Sequence, residues 1–269
     1  MKLGISTFVT DESARPDVLA KAVEERGFDA LFIAEHSHIP VSRESPYPPG
    51  GEMARHYYRA LDPFVVLTAA AAATTALTLG TGIALLIQRD VLHTAKSVAS
   101  LDLLSGGRFL FGVGAGWNRE EMRNHGTDPR TRGALLDEQI QALRTLWTND
   151  EAEFHGVHVD FDPVFQWPKP AREVPVYIGG TSAAALDRAK RLGAGWLPSA
   201  VRDPEAATAQ LAHAGSVPVT ATSAPPDPGL LDAYAEAGAE RVTLALPASS
   251  AGSTMRRLDA LAALVPRFS

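Results

Sequence analysis

Short runs rich in β-branched and aromatic residues alternate with helix-period segments along the whole chain, and no other feature constrains the fold as much. Residues 2–8, 28–34, 77–85, 108–113, 176–178, 195–197, 217–222 and 241–246 read as strands. The first helix carries the apolar stripe Val18, Leu19, Ala22 and Val23, with Ser13 as a plausible N-cap and Gly27 as its stop. Further helices are predicted over 63–75 and 91–104. Another begins at Asp128-Pro129 with Leu136, Ile140, Leu143 and Trp147 on one face, and the last four cover 183–192, 204–213, 230–237 and 254–264. Strict alternation implies a parallel sheet covered by helices. Eight such units predict an α/β fold, a single parallel (β/α)8 TIM barrel over residues 1–269, with an open doubly wound sheet as the alternative. Two segments break the rhythm. A Pro/Gly-rich stretch, 37–61, is expected to be a lid-like insertion after the second strand, and 151–166 a small hairpin insertion.

Composition narrows the function. A net charge of −6 gives no reason to expect a nucleic-acid partner. The absence of cysteine excludes disulfides, thiolate metal sites and cysteine nucleophiles. Residues 64–88 carry no charge, which is long enough to raise a transmembrane reading. Gly80 and Gly82 interrupt that run and Asp62-Pro63 resembles a helix start, so a buried helix followed by a buried strand fits it better. Residues 1–8 lack the three-part pattern of a signal peptide, and a cytoplasmic protein without a membrane partner is expected.

In a barrel of this kind the chemistry lies just after the C-terminal ends of the strands. After the second strand stands Glu35-His36-Ser37-His38. A carboxylate beside a histidine can tune and hold an imidazole for proton transfer, although either side chain can equally serve the loop alone. His36 and His38 also permit a metal site, but the other histidines fall in helices, the hairpin or loops, and no metal is expected. After the third strand, Gly80-Thr81-Gly82-Ile83-Ala84 suggests a bulge or a close backbone approach, with tight barrel packing as the competing explanation. After the fourth comes Gly112-Val113-Gly114-Ala115-Gly116-Trp117. It fails the dinucleotide fingerprint because Trp117 takes the third glycine position, yet it offers backbone and an indole to a flat ring. After the fifth, Gly179-Gly180-Thr181-Ser182 opens a helix, which suits either an anion or an ordinary cap. Ser199, after the sixth strand, could flank the same anion. Together these turns describe a rim for a large planar phosphorylated cofactor.

The string Leu101-Asp102-Leu103-Leu104-Ser105-Gly106-Gly107-Arg108, running into Gly112–Trp117, closely resembles the luciferase-like monooxygenase superfamily. Glu35-His36-Ser37-His38-Ile39-Pro40, Ser42-Arg43 and Ser45-Pro46-Tyr47-Pro48 resemble its F420-dependent branch. The resemblance runs from Gly4 to about Ser199. It implies a bacterial-luciferase-like barrel with coenzyme F420 at its mouth, or FMN as the alternative. It also implies a non-prolyl cis peptide at Gly82–Ile83 and a phosphate-binding turn at Gly179, Gly180 and Thr181. His36 would lie near the reactive carbon. Two departures limit what transfers: Glu35 stands where many relatives have Asp, and Trp117 where the sugar-phosphate dehydrogenase of the group has a catalytic Glu.

The expected activity is hydride transfer between the deazaflavin and a small organic substrate, with His36, oriented by Glu35, giving or taking the proton. Gly82, Ile83, Ala84, Gly114, Gly116, Trp117, Gly179, Gly180, Thr181, Ser182 and Ser199 are the expected cofactor contacts. Arg43, Tyr47 and Tyr58 are the expected substrate contacts. An FMN-dependent monooxygenase served by a separate reductase and a non-catalytic cofactor-binding barrel are the rival functions. Relatives are commonly homodimers, and a homodimer is expected.

Overall fold

The computed structural model describes residues 1–48 and 50–268, and Pro49, inside the expected lid, lies outside that set. Eight parallel strands form the barrel: β1 (Lys2–Thr7), β2 (Ala30–Ile33), β3 (Thr78–Thr81), β4 (Phe109–Val113), β7 (Val176–Gly179), β8 (Gly195–Leu197), β9 (Thr220–Ala224) and β10 (Arg241–Ala245). The hydrogen-bonded order is β8-β7-β4-β3-β2-β1-β10-β9. The seam between β8 and β9 is drawn together by parallel bridges, Trp196 to Val219 and Ser199 to Thr222, so the sheet forms a (β/α)8 barrel. The hairpin outside the rhythm is antiparallel, β5 (Glu151–His155) with β6 (Asp160–Phe165).

The helices are α1 (Pro16–Glu25), α2 (Pro63–Ala73), α3 (Val91–Ser105), α4 (Arg119–Asn124), α5 (Arg132–Thr148), α6 (Ala183–Arg191), α7 (Pro204–Leu211), α8 (Pro228–Glu236) and α9 (Ala251–Ala262). The uncharged run begins as α2, packed between α1 and α3, and among the described residues no helix is long and apolar enough to cross a membrane. At the starts of α1 and α5 the expected signal residue makes a turn instead, while α8 and α9 begin two and three residues earlier than expected. Ser13 closes a turn instead of capping α1: its hydroxyl donates to Thr10 O at 3.0 Å and accepts from Thr10 N at 2.9 Å. Asp128 likewise accepts from Arg130 N at 2.9 Å, which makes a turn and delays α5 to Arg132. The short helix α4 was not anticipated. Asn118 starts it by accepting from Glu121 N at 3.1 Å.

Inside the barrel, large rings face glycines. A Cβ on Gly80 would meet the Phe32 ring at 2.5 Å, and one on Gly195 would meet Tyr177 at 2.4 Å. Burying each ring contributes about 1.5–3 kcal/mol, and the glycines make room for it. The string that carries the family resemblance is scaffold at the opposite end of the barrel from the strand ends. Arg108 donates to the carbonyls of Ala71, Thr74 and Leu77 at 2.8–3.1 Å and so caps the end of α2. Asp102 accepts from Ala171 N at 2.9 Å. Gly106 ends α3 at φ +68, where a side chain would be strained.

Candidate active site

The strand-end turns after β3, β4, β7 and β8 converge on one cavity of about 640 Å³. Ile83, Gly116 and Trp117 form one part of its wall, and Gly179, Gly180, Thr181, Ser182 and Ser199 another. The peptide Gly82–Ile83 is cis; beyond Thr81 the chain stays tied to the sheet by Gly82 N donating to Ile33 O at 2.8 Å and by the bridge of Ala84 to Val113. The Ile83 side chain then lies over two neighbouring strand ends. A Cβ on Gly114 would stand 2.2 Å from its Cδ1, and one on Gly179 would stand 2.5 Å from its Cγ2. Gly114 therefore seats Ile83 and does not itself face the cavity. Gly82 packs against Phe32, and Ala84 is fully buried with its N–H given to Gly112 O at 2.8 Å. Gly82, Ala84 and Gly114 thus do not line this cavity, whereas Ile83, Gly116 and Trp117 do.

Another part of the cavity wall carries a helix start and three arginines. Ser182 caps α6 by accepting from Ala185 N, and Trp196 Nε1 donates to Gly180 O at 2.7 Å, which fixes the turn. Arg130, Arg132 and Arg188 line the same space. Arg188 is held by Asp137 at 2.6 Å, while Arg132 has no carboxylate partner among the described residues. Guanidinium groups beside a helix N-terminus suit a phosphate. These arginines escaped the sequence reading because they come from α6, the start of α5 and the turn before it, not from the glycine turns. The cavity thus joins an apolar and aromatic wall, Ile83 and Trp117, to a cationic one, Arg130, Arg132 and Arg188. A volume near 640 Å³ is within the ordinary range for cofactor sites.

Trp117 separates this cavity from the imidazole of His36, whose ring centroid lies 6.0 Å away, edge to face. The expected Glu35–His36 contact does not form. Glu121, on the unanticipated α4, holds His36 Nδ1 at 2.9 Å with both side chains nearly sealed, 6% and 1% exposed. Its other oxygen accepts from Ser37 N at 3.2 Å. Glu35 instead accepts from Leu85 N at 2.6 Å and from Arg89 Nε at 2.7 Å, and Arg89 also pairs with Asp62 at 2.6 Å. Burial weakens the Arg89 charge, but Glu35 and Asp62 more than restore it. Glu35 thus braces the segment after the cis peptide. A carboxylate on Nδ1 fixes the proton there and leaves Nε2 as the reactive nitrogen, free of hydrogen bonds to the described residues.

Aromatic rings enclose His36. Phe8 stacks on it at 6.5 Å and Tyr57 tilts over it at 5.1 Å, while Tyr47 touches both Tyr57 and Trp117. Burial, then the Tyr47 hydrogen bond, pushes the Tyr57 hydroxyl up, so it stays protonated. Arg43 and Tyr58 do not join this group. They bond each other at 3.2 Å on an exposed surface, so of the expected substrate contacts only Tyr47 faces the imidazole side. The segment 37–61 is tied down by Ser45, whose N–H donates to Glu120 at 2.9 Å and whose hydroxyl donates to the same carboxylate. Burial pushes the Glu120 carboxyl up, but the donors from Ser45 outweigh it and hold the group below its usual range. Among the described residues no three His, Asp or Glu side chains gather to hold a metal ion, and His38 is engaged by Asn124 at 2.8 Å.

The luciferase-like monooxygenase family model matches residues 13–227. An uncharacterized protein of Mycobacterium tuberculosis (strain H37Rv) is 34% identical over 276 residues, covering 98% of both chains. The F420-dependent glucose-6-phosphate dehydrogenase of Nakamurella multipartita is 30% identical over 189 residues, 69% of this chain and 52% of that protein. Among solved structures, the monooxygenase RslO1 from Streptomyces bottropensis superposes over the full length of both chains with a TM-score of 0.79 at 20% identity, a likeness of fold.

Proposed function

The chain belongs to the luciferase-like monooxygenase family, and from that premise we propose that it is an oxidoreductase that binds coenzyme F420 and passes a hydride between the deazaflavin and a small organic substrate. The observation that carries this reading is the meeting of two features across Trp117: a cavity with a flat-ring end and an anion end, and a histidine held by a buried carboxylate. The similarity to an F420-dependent dehydrogenase over 69% of the chain supports the choice of deazaflavin over FMN.

When bound, the deazaflavin supplies the two-electron hydride donor or acceptor. Ile83 and Trp117 would brace its ring, and Gly179, Gly180, Thr181, Ser182 and Ser199, with Arg130, Arg132 and Arg188, would hold its phosphate. Glu121 keeps the Nδ1 proton of His36 in place. His36 Nε2 then gives or takes the proton that accompanies hydride transfer at the substrate. Phe8 and Tyr57 lie against the imidazole, and a less polar surrounding strengthens the polar contacts made there. Glu120, through Ser45, holds the 37–61 segment over the substrate side.

Titration of the purified protein with F420 and with FMN, side by side and followed by fluorescence, tests the cofactor assignment. F420 is expected to bind at micromolar concentration or below. Tight FMN binding without F420 binding would make the protein an FMN-dependent member of the family.

A further inference from the structure

A second cavity of about 520 Å³ adjoins the cofactor cavity. Both are lined by Arg130 and Arg132, so the two spaces meet at the anion end. Beyond that point the second cavity is framed by Arg119 and Arg123 from α4, together with Glu44 and Asp128. The acids neutralise only part of this charge. Glu44 pairs with Arg123 at 2.8 Å and Asp128 with Arg130 at 2.8 Å. Arg119 and Arg132 have no carboxylate partner among the described residues. Four guanidinium groups against two carboxylates leave a surplus of positive charge in an open trough that starts where a phosphate would sit.

We propose that this trough is a subsite for an anionic extension beyond the cofactor phosphate, namely the carboxylates of the F420 tail. The inference rests on the F420 reading and deepens it. FMN ends in a phosphate monoester and has nothing to place beyond Arg130 and Arg132. The phosphate of F420 is a diester whose far side continues into a carboxylate-bearing chain. An open trough of exposed arginines suits such a chain, because guanidinium groups pair with carboxylates without requiring one fixed pose. Arg119 and Arg123 are then residues that discriminate between cofactors, apart from the ring and phosphate contacts. Glu44 competes with the tail for Arg123.

The test is a fluorescence titration of the full chain with F420 carrying several glutamates, with F420 carrying none, and with FMN. The wild type is expected to bind the long-tailed form about tenfold more tightly than the tail-less form, with the gap closing at about 0.5 M salt. Arg119→Gln should narrow the gap while leaving affinity for the tail-less form unchanged. Glu44→Gln should widen it by freeing Arg123. Equal wild-type affinity for the two F420 forms overturns the subsite, and so does an equal loss of both in Arg119→Gln. If FMN binds and neither F420 form does, the cofactor reading itself falls, a result distinct from either of these.

Discussion

On the β4, β7 and β8 side of the barrel mouth, the turns are shaped by close steric fit: Ile83 rests on Gly114 and Gly179, and Trp196 pins the carbonyl of Gly180. On the β2 side the work is done by two adjacent carboxylates of one short helix. Glu121 reaches His36 and Ser37, and Glu120 reaches Ser45, across 75–85 positions of sequence. The first side is a shaped wall with little room to move. The second is a charged clasp on an otherwise irregular segment. The contrast matches their proposed tasks, since a rigid ring needs a wall of fixed shape while the segment on the substrate side must open and close.

The largest expected effect tests which carboxylate serves the histidine. His36→Ala should lower turnover by about 10²- to 10⁴-fold, while F420 affinity by titration changes little. Glu121→Gln should cost more turnover than Glu35→Gln, whose main effect should be a lower Tm. The reverse ranking would return the orienting role to Glu35. Next comes the clasp. Ser45→Ala removes a hydroxyl that serves both Glu120 and Arg119 N, and should favour local opening by about 1.5–3 kcal/mol. Trypsin cleavage at the exposed Arg43 should then accelerate with little change in global Tm, and unchanged cleavage would show that the segment is held by other contacts.

On the shaped side, Gly114→Ala should cost about 1–3 kcal/mol in denaturant unfolding, because the new methyl collides with Ile83. Ile83→Ala in the same chain should recover part of that loss. Additive losses in the double variant would mean that the two residues do not share one packing site.

The smallest effect is the pH response of the two sides. Burial, then the neighbouring imidazole of His36, pushes His56 below its usual pKa, and burial with His38 does the same to His125. Both belong to the β2 side. A histidine whose folded pKa is depressed resists protonation in the native state. Its contribution is therefore complete above about pH 6.5 and lost as pH falls through the folded value. Tm should decline modestly from pH 7 to pH 5, and His56→Gln with His125→Gln should flatten the decline. An unchanged slope would place the acid sensitivity elsewhere.

The glycine side of the site was largely legible in the sequence because its constraints are local. Gly179-Gly180-Thr181-Ser182 lies directly before a helix, and Gly116-Trp117 directly after a strand, so adjacency along the chain already places them at the rim. The clasp was not legible. Glu120 and Glu121 look like the acidic first turn of any surface helix, and only the folded chain shows both to be buried. Glu35 misled for the same reason. It neighbours His36 in sequence, but successive side chains leaving a strand diverge, and this one turned to Leu85 and Arg89.

The sequence by itself determined the eightfold β/α rhythm, the parallel barrel, the end of it that carries the site and the glycine turns along its rim, because period, turn chemistry and strand ends are encoded within a few neighbouring residues. Tertiary structure alone decided which carboxylate meets His36, which glycines seat Ile83, and which arginines gather at the anion end. Those pairings join residues far apart in the chain, and they exist only after the barrel has brought its strand ends to one rim.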